Sequence, residues 1–301
     1  MPHDDLLGGA TRKRTRPRGF AKWAPDPAST ALLTQVSAVL DEYAEHLPLT
    51  IRQIFYRLVG AHAYPKTERD YRRLCVKLQR ARRAQLIPME AIRDDGGTVL
   101  APTSYADAED FLNVVRHSAA QLRLDRTAGQ PQRLVVMCEA AGMAPQLERV
   151  AAPYGITVIS SGGFDSVTGK HALAKELADH GRVTEVLHVG DHDPSGAHLF
   201  LSLAEDVEAF ATTVGGNVTF NRLAVTPAQM RSYRLPTAPP KPTDKRAFRG
   251  RTCQAEALAP DVLAQILQDA ITARLNTRAY NRVLRAEKVA RRTLATRLGV
   301  T

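Results

Sequence analysis

Two short apolar runs, each ending on an acid, constrain this chain more than any other feature. Leu134-Val135-Val136-Met137-Cys138 leads directly into Glu139, and Val186-Leu187-His188-Val189-Gly190 into Asp191-His192-Asp193-Pro194-Ser195-Gly196. Runs this short and β-branched read as buried strands of a parallel sheet. Around them the pattern alternates: a helix near 143–152, a strand from Ile156 to Ser160, the turn Ser161-Gly162-Gly163, a helix at about 168–180, a strand at 185–190, a helix at about 197–210 and a strand near 218–225. Such alternation predicts a parallel α/β sheet with right-handed crossovers. Working residues of open α/β sheets gather at the carboxyl ends of the strands. Glu139, Asp191 and Asp193 then meet at one edge, where three acids repel one another unless a cation lies between them. All-oxygen ligands favour Mg²⁺, with Mn²⁺ as a substitute, before Zn²⁺. Pro194 and Ser195 also suit a capped helix start; that accounts for one aspartate, not for two together with Glu139.

The N-terminal part reads differently. Residues 1–29 form a basic arm punctuated by Pro and Gly. Leu32, Leu33, Val36, Val39, Leu40 and Tyr43 recur at helical spacing, predicting a helix over about 30–45. Thr50 and Gln53 fit a capping box, flanked by Leu49 and Ile54 as a hydrophobic staple. In the helix that follows, Ile51, Ile54, Phe55, Leu58 and Val59 share one face. Tyr56 falls roughly 130° from the centre of that face, with Arg52 one turn before it, so the tyrosine is expected to point outward beside an arginine. A third helix, about 67–84, turns Tyr71, Leu74, Cys75, Leu78 and Ala81 inward and carries a ridge of Arg73, Lys77 and Arg80, with Arg83 at its end. Three short helices with a basic last one outline a winged-helix module, with Ile87 to Thr103 and the Gly96-Gly97 turn as its wing. A connecting helix is expected over 104–123 and a linker over 127–132. The boundaries predicted are an arm (1–29), a winged-helix domain (30–126), a parallel-sheet domain (131–275) and a basic helical tail (276–301).

Charge narrows the partner. The net charge is +10 over 301 residues, concentrated in the N-terminal arm, the third helix and the C-terminal stretch from Arg274 to Arg297. Beside an acidic metal site, three such clusters point to nucleic acid. The basic helices lack an apolar face for a membrane surface, and no run approaches a membrane span. Cys75, Cys138 and Cys253 are far apart, which argues against a zinc ribbon or disulfide framework and for a reducing compartment. The expectation is a cytoplasmic, nucleoid-associated protein.

Two weaker signals are set aside. Gly163 to His171 imitates a phosphate-binding P-loop but has five residues between its glycines, and His171 where Ser or Thr should stand. Its glycine turn, Gly162-Gly163, still suits backbone approach to a substrate phosphate. His188, His192 and His198 flank the acids, but alternation places His188 in a strand and His198 in a helix, as packing groups rather than ligands.

Glu139 followed by Asp191-x-Asp193-Pro194-x-Gly196 resembles a TOPRIM domain, the metal-binding fold of topoisomerases, primases and some nucleases. The form is most similar to the A subunit of topoisomerase VI and its relative, the meiotic double-strand-break protein. Thr50-Ile51-Arg52-Gln53-Ile54-Phe55-Tyr56 resembles that family's T-x-R-x-x-Y-Y helix, with Phe55 in place of the first tyrosine. The resemblance covers roughly residues 30 to 275. It implies a winged-helix domain of the 5Y-CAP kind followed by a TOPRIM domain. It also implies Tyr56 as the DNA-attacking residue with Arg52 beside it, and a metal held by Glu139, Asp191 and Asp193. The partners implied are double-stranded DNA, a second copy of the chain and a separate GHKL-type ATPase subunit, although the chain is shorter than the topoisomerase subunits and carries nothing like that ATPase. Two other readings stand beside it: a metal-dependent nuclease that uses water on DNA or RNA, and a non-catalytic DNA-binding protein.

Overall fold

The computed structural model describes residues 20–93, 103–162, 167–178, 181–244, 246 and 248–299. The chain divides into two compact units, Met1–Arg93 and Asp94–Thr301. Among the described residues, no helix is long and apolar enough to cross a membrane.

The first unit holds α1 (Pro27–Glu42), α2 (Ile51–His62) and α3 (Glu68–Arg83), with two-residue strands β1 (Leu49–Thr50) and β2 (Ile92–Arg93) paired in parallel. Local chemistry sets the helix starts. The Asp26 side chain caps α1, the full Thr50/Gln53 capping box opens α2, and Thr67 caps α3. Both α1 and α3 pack against α2, over a core that includes Val36, Leu49, Ile54, Leu58, Leu74 and Leu78. The proposed wing lies largely outside the described residues, Gly96 and Gly97 included. The described part, β2, pairs with β1.

The second unit is α/β. Strands β3 (Arg133–Cys138), β4 (Thr157–Ser160), β5 (Thr184–Val189) and β6 (Val218–Ala224) form one parallel sheet in the order β4-β3-β5-β6. Helices α6 (Val167–Ala178) and α7 (Pro194–Thr213) pack against each other and supply Leu173, Leu177, Leu203 and Val207 to a core shared with Val135, Met137 and Val186. Val136 and Cys138 alternate with those strand residues and are also buried. The pair α5 (Ala144–Ala151) and α9 (Pro260–Thr272) covers this side, with α5 on β3 and β4 and α9 on β6. Burial on both faces explains why β3 and β5 read as unbroken apolar runs. A short helix, α8 (Pro227–Ser232), follows β6.

The domain boundaries differ from the sequence reading at both ends. The connecting helix α4 (Ala108–Ala120) belongs to the second unit and packs on the C-terminal helix α10 (Thr277–Arg297). The basic helical tail predicted over 276–301 is α10, and an acid on it ties it into the second unit. Its Glu287, 3% exposed, pairs with Arg126 at 2.7 Å and Arg291 at 2.8 Å and accepts the Leu124 N–H at 3.1 Å. Arg274, just ahead of α10, grips Glu185 with two bonds of 2.8 Å. Two cations of the C-terminal cluster are therefore neutralised internally.

Candidate active site

In the β4-β3-β5-β6 order, the chain leaves β3 to one side and returns to β5 on the other. The gap beyond the carboxyl ends of β3 and β5 is thus the topological switch point, where open α/β sheets bind ligands. Glu139 follows β3, and Asp191 and Asp193 follow β5. The Asp191 N–H donates to Glu139 Oε2 at 2.9 Å. Asp191 Oδ1 accepts from the Ala255 N–H at 2.8 Å, and Asp193 Oδ1 caps α7 through the Gly196 N–H at 2.7 Å. Burial, together with the neighbouring charges of Asp191 and Asp193, pushes the Glu139 carboxyl above its ordinary range, against the hydrogen bond from Asp191 and the nearby Arg222 charge.

The glycines of this edge make room for the acids. A Cβ on Gly190 would stand 2.7 Å from Glu139 Oε2, and one on Gly196 would stand 2.5 Å from the Asp191 carbonyl oxygen.

The sequence reading missed Arg222. It projects from β6, donates to the Asp191 carbonyl oxygen and to His188 Nδ1 (3.3 Å), and lies over the Phe200 ring. Burial lowers the Arg222 pKa, opposed by the negative charges of Glu139, Asp191 and Asp193. His188 is 3% exposed, and burial, with Arg222 beside it, lowers its pKa to about 3. Burial also lowers the His192 pKa. His192 forms an antiparallel bridge with Cys253, so the 251–255 segment closes over the edge. A cavity of about 90 Å³, lined by Glu139, Ser161, Lys170, His188, Gly196 and Phe200 among others, opens beside Glu139. Gly162 is exposed in the turn after β4, and Gly163 lies outside the described residues. Lys170, from the stretch that imitates a P-loop, is 8% exposed and bonded to Ser202 and Asp206.

One expectation needs correction. Tyr56 is buried, at 5% exposure, rather than outward. Its ring lies 5.4 Å from that of Phe55 and beneath Lys66 Nζ at 5.5 Å. Periodicity marked only the most apolar stripe of a helix covered from more than one side. Arg52 lies over the Tyr71 ring at 5.0 Å. Glu139, Asp191 and Asp193 share the edge, and one oxygen of each is tied to a backbone N–H; among the described residues no three His, Cys, Asp or Glu side chains are gathered closely enough to hold an ion as they stand. The donor chemistry still fits a hard divalent ion, because all three groups are carboxylates and Arg222 offsets only one charge. These three residues are the ones that would hold it.

No family model, curated protein or solved structure matches this chain. In the first unit, Arg73 and Arg80 are exposed on α3, and Lys77 and Arg83 are half-buried.

Proposed function

We propose that the protein breaks DNA strands by transesterification, in the manner of a topoisomerase VI A subunit, with two copies acting on one duplex. The single observation that carries the reading is the meeting of Glu139, Asp191 and Asp193 at the switch point of a parallel sheet. In this scheme the Tyr56 hydroxyl attacks phosphorus. A 5′-phosphotyrosyl bond forms, and the 3′-oxygen leaves and takes up a proton. A phenol with an ordinary pKa near 10 needs help at neutral pH, and Arg52 would favour the phenolate. Mg²⁺, held by Glu139, Asp191 and Asp193, would supply charge neutralisation at the phosphate. Arg222 adds a fixed positive charge on the protein side of the acids. Basic helix α3 would hold phosphates, giving salt-dependent binding with little sequence preference.

The burial of Tyr56 favours a second reading, in which water attacks and Tyr56 only packs the first unit. An adduct trap separates the two. End-labelled DNA is incubated with protein and Mg²⁺ or Mn²⁺, quenched in detergent and run with and without protease. Transesterification predicts label that travels with protein and disappears in both Tyr56→Phe and Glu139→Gln, the latter losing roughly 100-fold or more in rate. Free ends that survive Tyr56→Phe but not Glu139→Gln would establish hydrolysis.

A further inference from the structure

The first unit contains a groove whose cations lie on α3, the helix given phosphates in the cleavage scheme, but whose aromatic wall that scheme does not use. It encloses about 350 Å³ and is lined by Trp23, Asp26, Ser29, Val76 and the α3 cations Arg72, Arg73, Lys77 and Arg80. Trp23 is the only tryptophan of the chain. Its segment is tied to the end of α3 by the Ala21 N–H bond to the Arg83 carbonyl oxygen, 2.9 Å, and Phe20 on the same segment is 62% exposed. The cations are paired unequally. Arg72 meets Glu68 at 3.2 Å, with both side chains more than two-thirds exposed; Arg73 meets Asp70 at 3.3 Å; and Lys77 meets Asp26 at 4.0 Å while bonding Ser29 Oγ. The Arg72–Glu68 pair is exposed on both sides and contributes little, so a phosphate can replace that carboxylate at small cost, while Asp70 and Lys77 are the more covered members of their pairs.

A half-buried indole set among cations is the combination that holds unpaired nucleic acid, since any exposed base stacks on an aromatic while its phosphates take the charges. A duplex keeps its base faces stacked internally and cannot use Trp23. We propose that this groove binds a single strand, with one base stacked on Trp23 and the flanking phosphates on Arg73, Lys77 and Arg80. The proposal shares nucleic acid as a ligand with the cleavage reading, but it stands whether or not the carboxylate edge cuts.

Because Trp23 is the sole tryptophan, its emission reports the groove directly. The full chain, in EDTA, is titrated with a short oligo(dT) strand, an abasic strand of equal length and a blunt duplex, following emission and the anisotropy of a label on each nucleic acid. Oligo(dT) should quench emission saturably, while the abasic strand and the duplex bind with little quenching. Trp23→Ala should weaken oligo(dT) about 10-fold while leaving the duplex nearly unchanged, and Trp23→Phe should recover most of that loss. Arg80→Glu should weaken both single strands roughly 10-fold. Asp191→Asn should quench like the parent, so a failure at the cutting edge does not register here. Oligo(dT) binding by anisotropy with unchanged emission, or Trp23→Ala binding as the parent does, would overturn the proposal.

Discussion

His188 sits under the acidic edge and does not charge at neutral pH. Its Nδ1 accepts from Arg222, which places the ring proton on Nε2. Burial holds its pKa near 3 against an ordinary 6.5. Below about 6.5 the unfolded chain therefore takes up a proton that the folded chain refuses until about pH 3. Stability should fall as pH drops through that window, by about 2 kcal/mol at pH 5. Glu139 works the other way. Its raised carboxyl binds a proton more readily folded than unfolded, so it gains stability as pH falls. His188→Gln keeps an acceptor for Arg222 and removes the imidazole term alone. Urea midpoints at about pH 7.5 and about pH 5 should show the variant losing about 2 kcal/mol less than the parent; equal losses would mean that the imidazole titrates normally. Gly196 makes a steric prediction at the same edge. Gly196→Ala forces backbone or Glu139 to shift and should cost about 1–3 kcal/mol, along with cleavage. Gly60, inside α2, has open space where a Cβ would stand. Gly60→Ala should be neutral or stabilise by about 0.5–1 kcal/mol in the same denaturation series.

At the scale of elements, much of the fold was legible because its signals are local. The capping box at Thr50/Gln53, the paired apolar runs of β3 and β5, and the acid placed directly after each strand are all short-range patterns. They located α2, the parallel sheet and the edge carrying Glu139, Asp191 and Asp193. What escaped depends on distant chain segments. Tyr56 is buried because α1 and α3 both pack on α2, a fact no single helix period contains. Arg222 arrives from the edge strand β6, and nothing in its own sequence context marks it. The fate of α10 turns on one acid among many cations. Its sequence reads as a basic helical tail, yet Glu287 is the hub of a network that ties it to the second unit. Removing that acid leaves the mostly buried Arg126 and the Leu124 N–H without it. Glu287→Ala should therefore cost about 3–5 kcal/mol, read as a lower urea midpoint for the second unit. Arg126 lowers the Glu287 carboxyl pKa, so this stabilisation is present above the ordinary carboxylate range and fades as pH falls through the lowered value. An unchanged midpoint in Glu287→Ala would make the pairing incidental.

For the whole molecule, the decisive question is which chain's acids serve which chain's tyrosine. The chain divides between Arg93 and Asp94, so Tyr56 and the carboxylate edge belong to different units. Under the proposed transesterification, one tyrosine opens one strand, and a double-strand break requires two chains about a twofold axis. The resemblance implies that each tyrosine works with the acids of the other chain. Mixing two inactive variants tests this. In a mixed dimer of Tyr56→Phe and Asp191→Asn, working in trans joins the intact tyrosine of one chain to the intact acids of the other, and leaves the second site doubly defective. Such a dimer should nick supercoiled DNA and carry one protein–DNA link, attached only to the Asp191→Asn chain, which a size tag on that chain would identify. Working in cis gives each chain one fatal defect and no cleavage in any dimer. Nicks without a protein link would return the chemistry to water and leave Tyr56 as part of the core of its own unit.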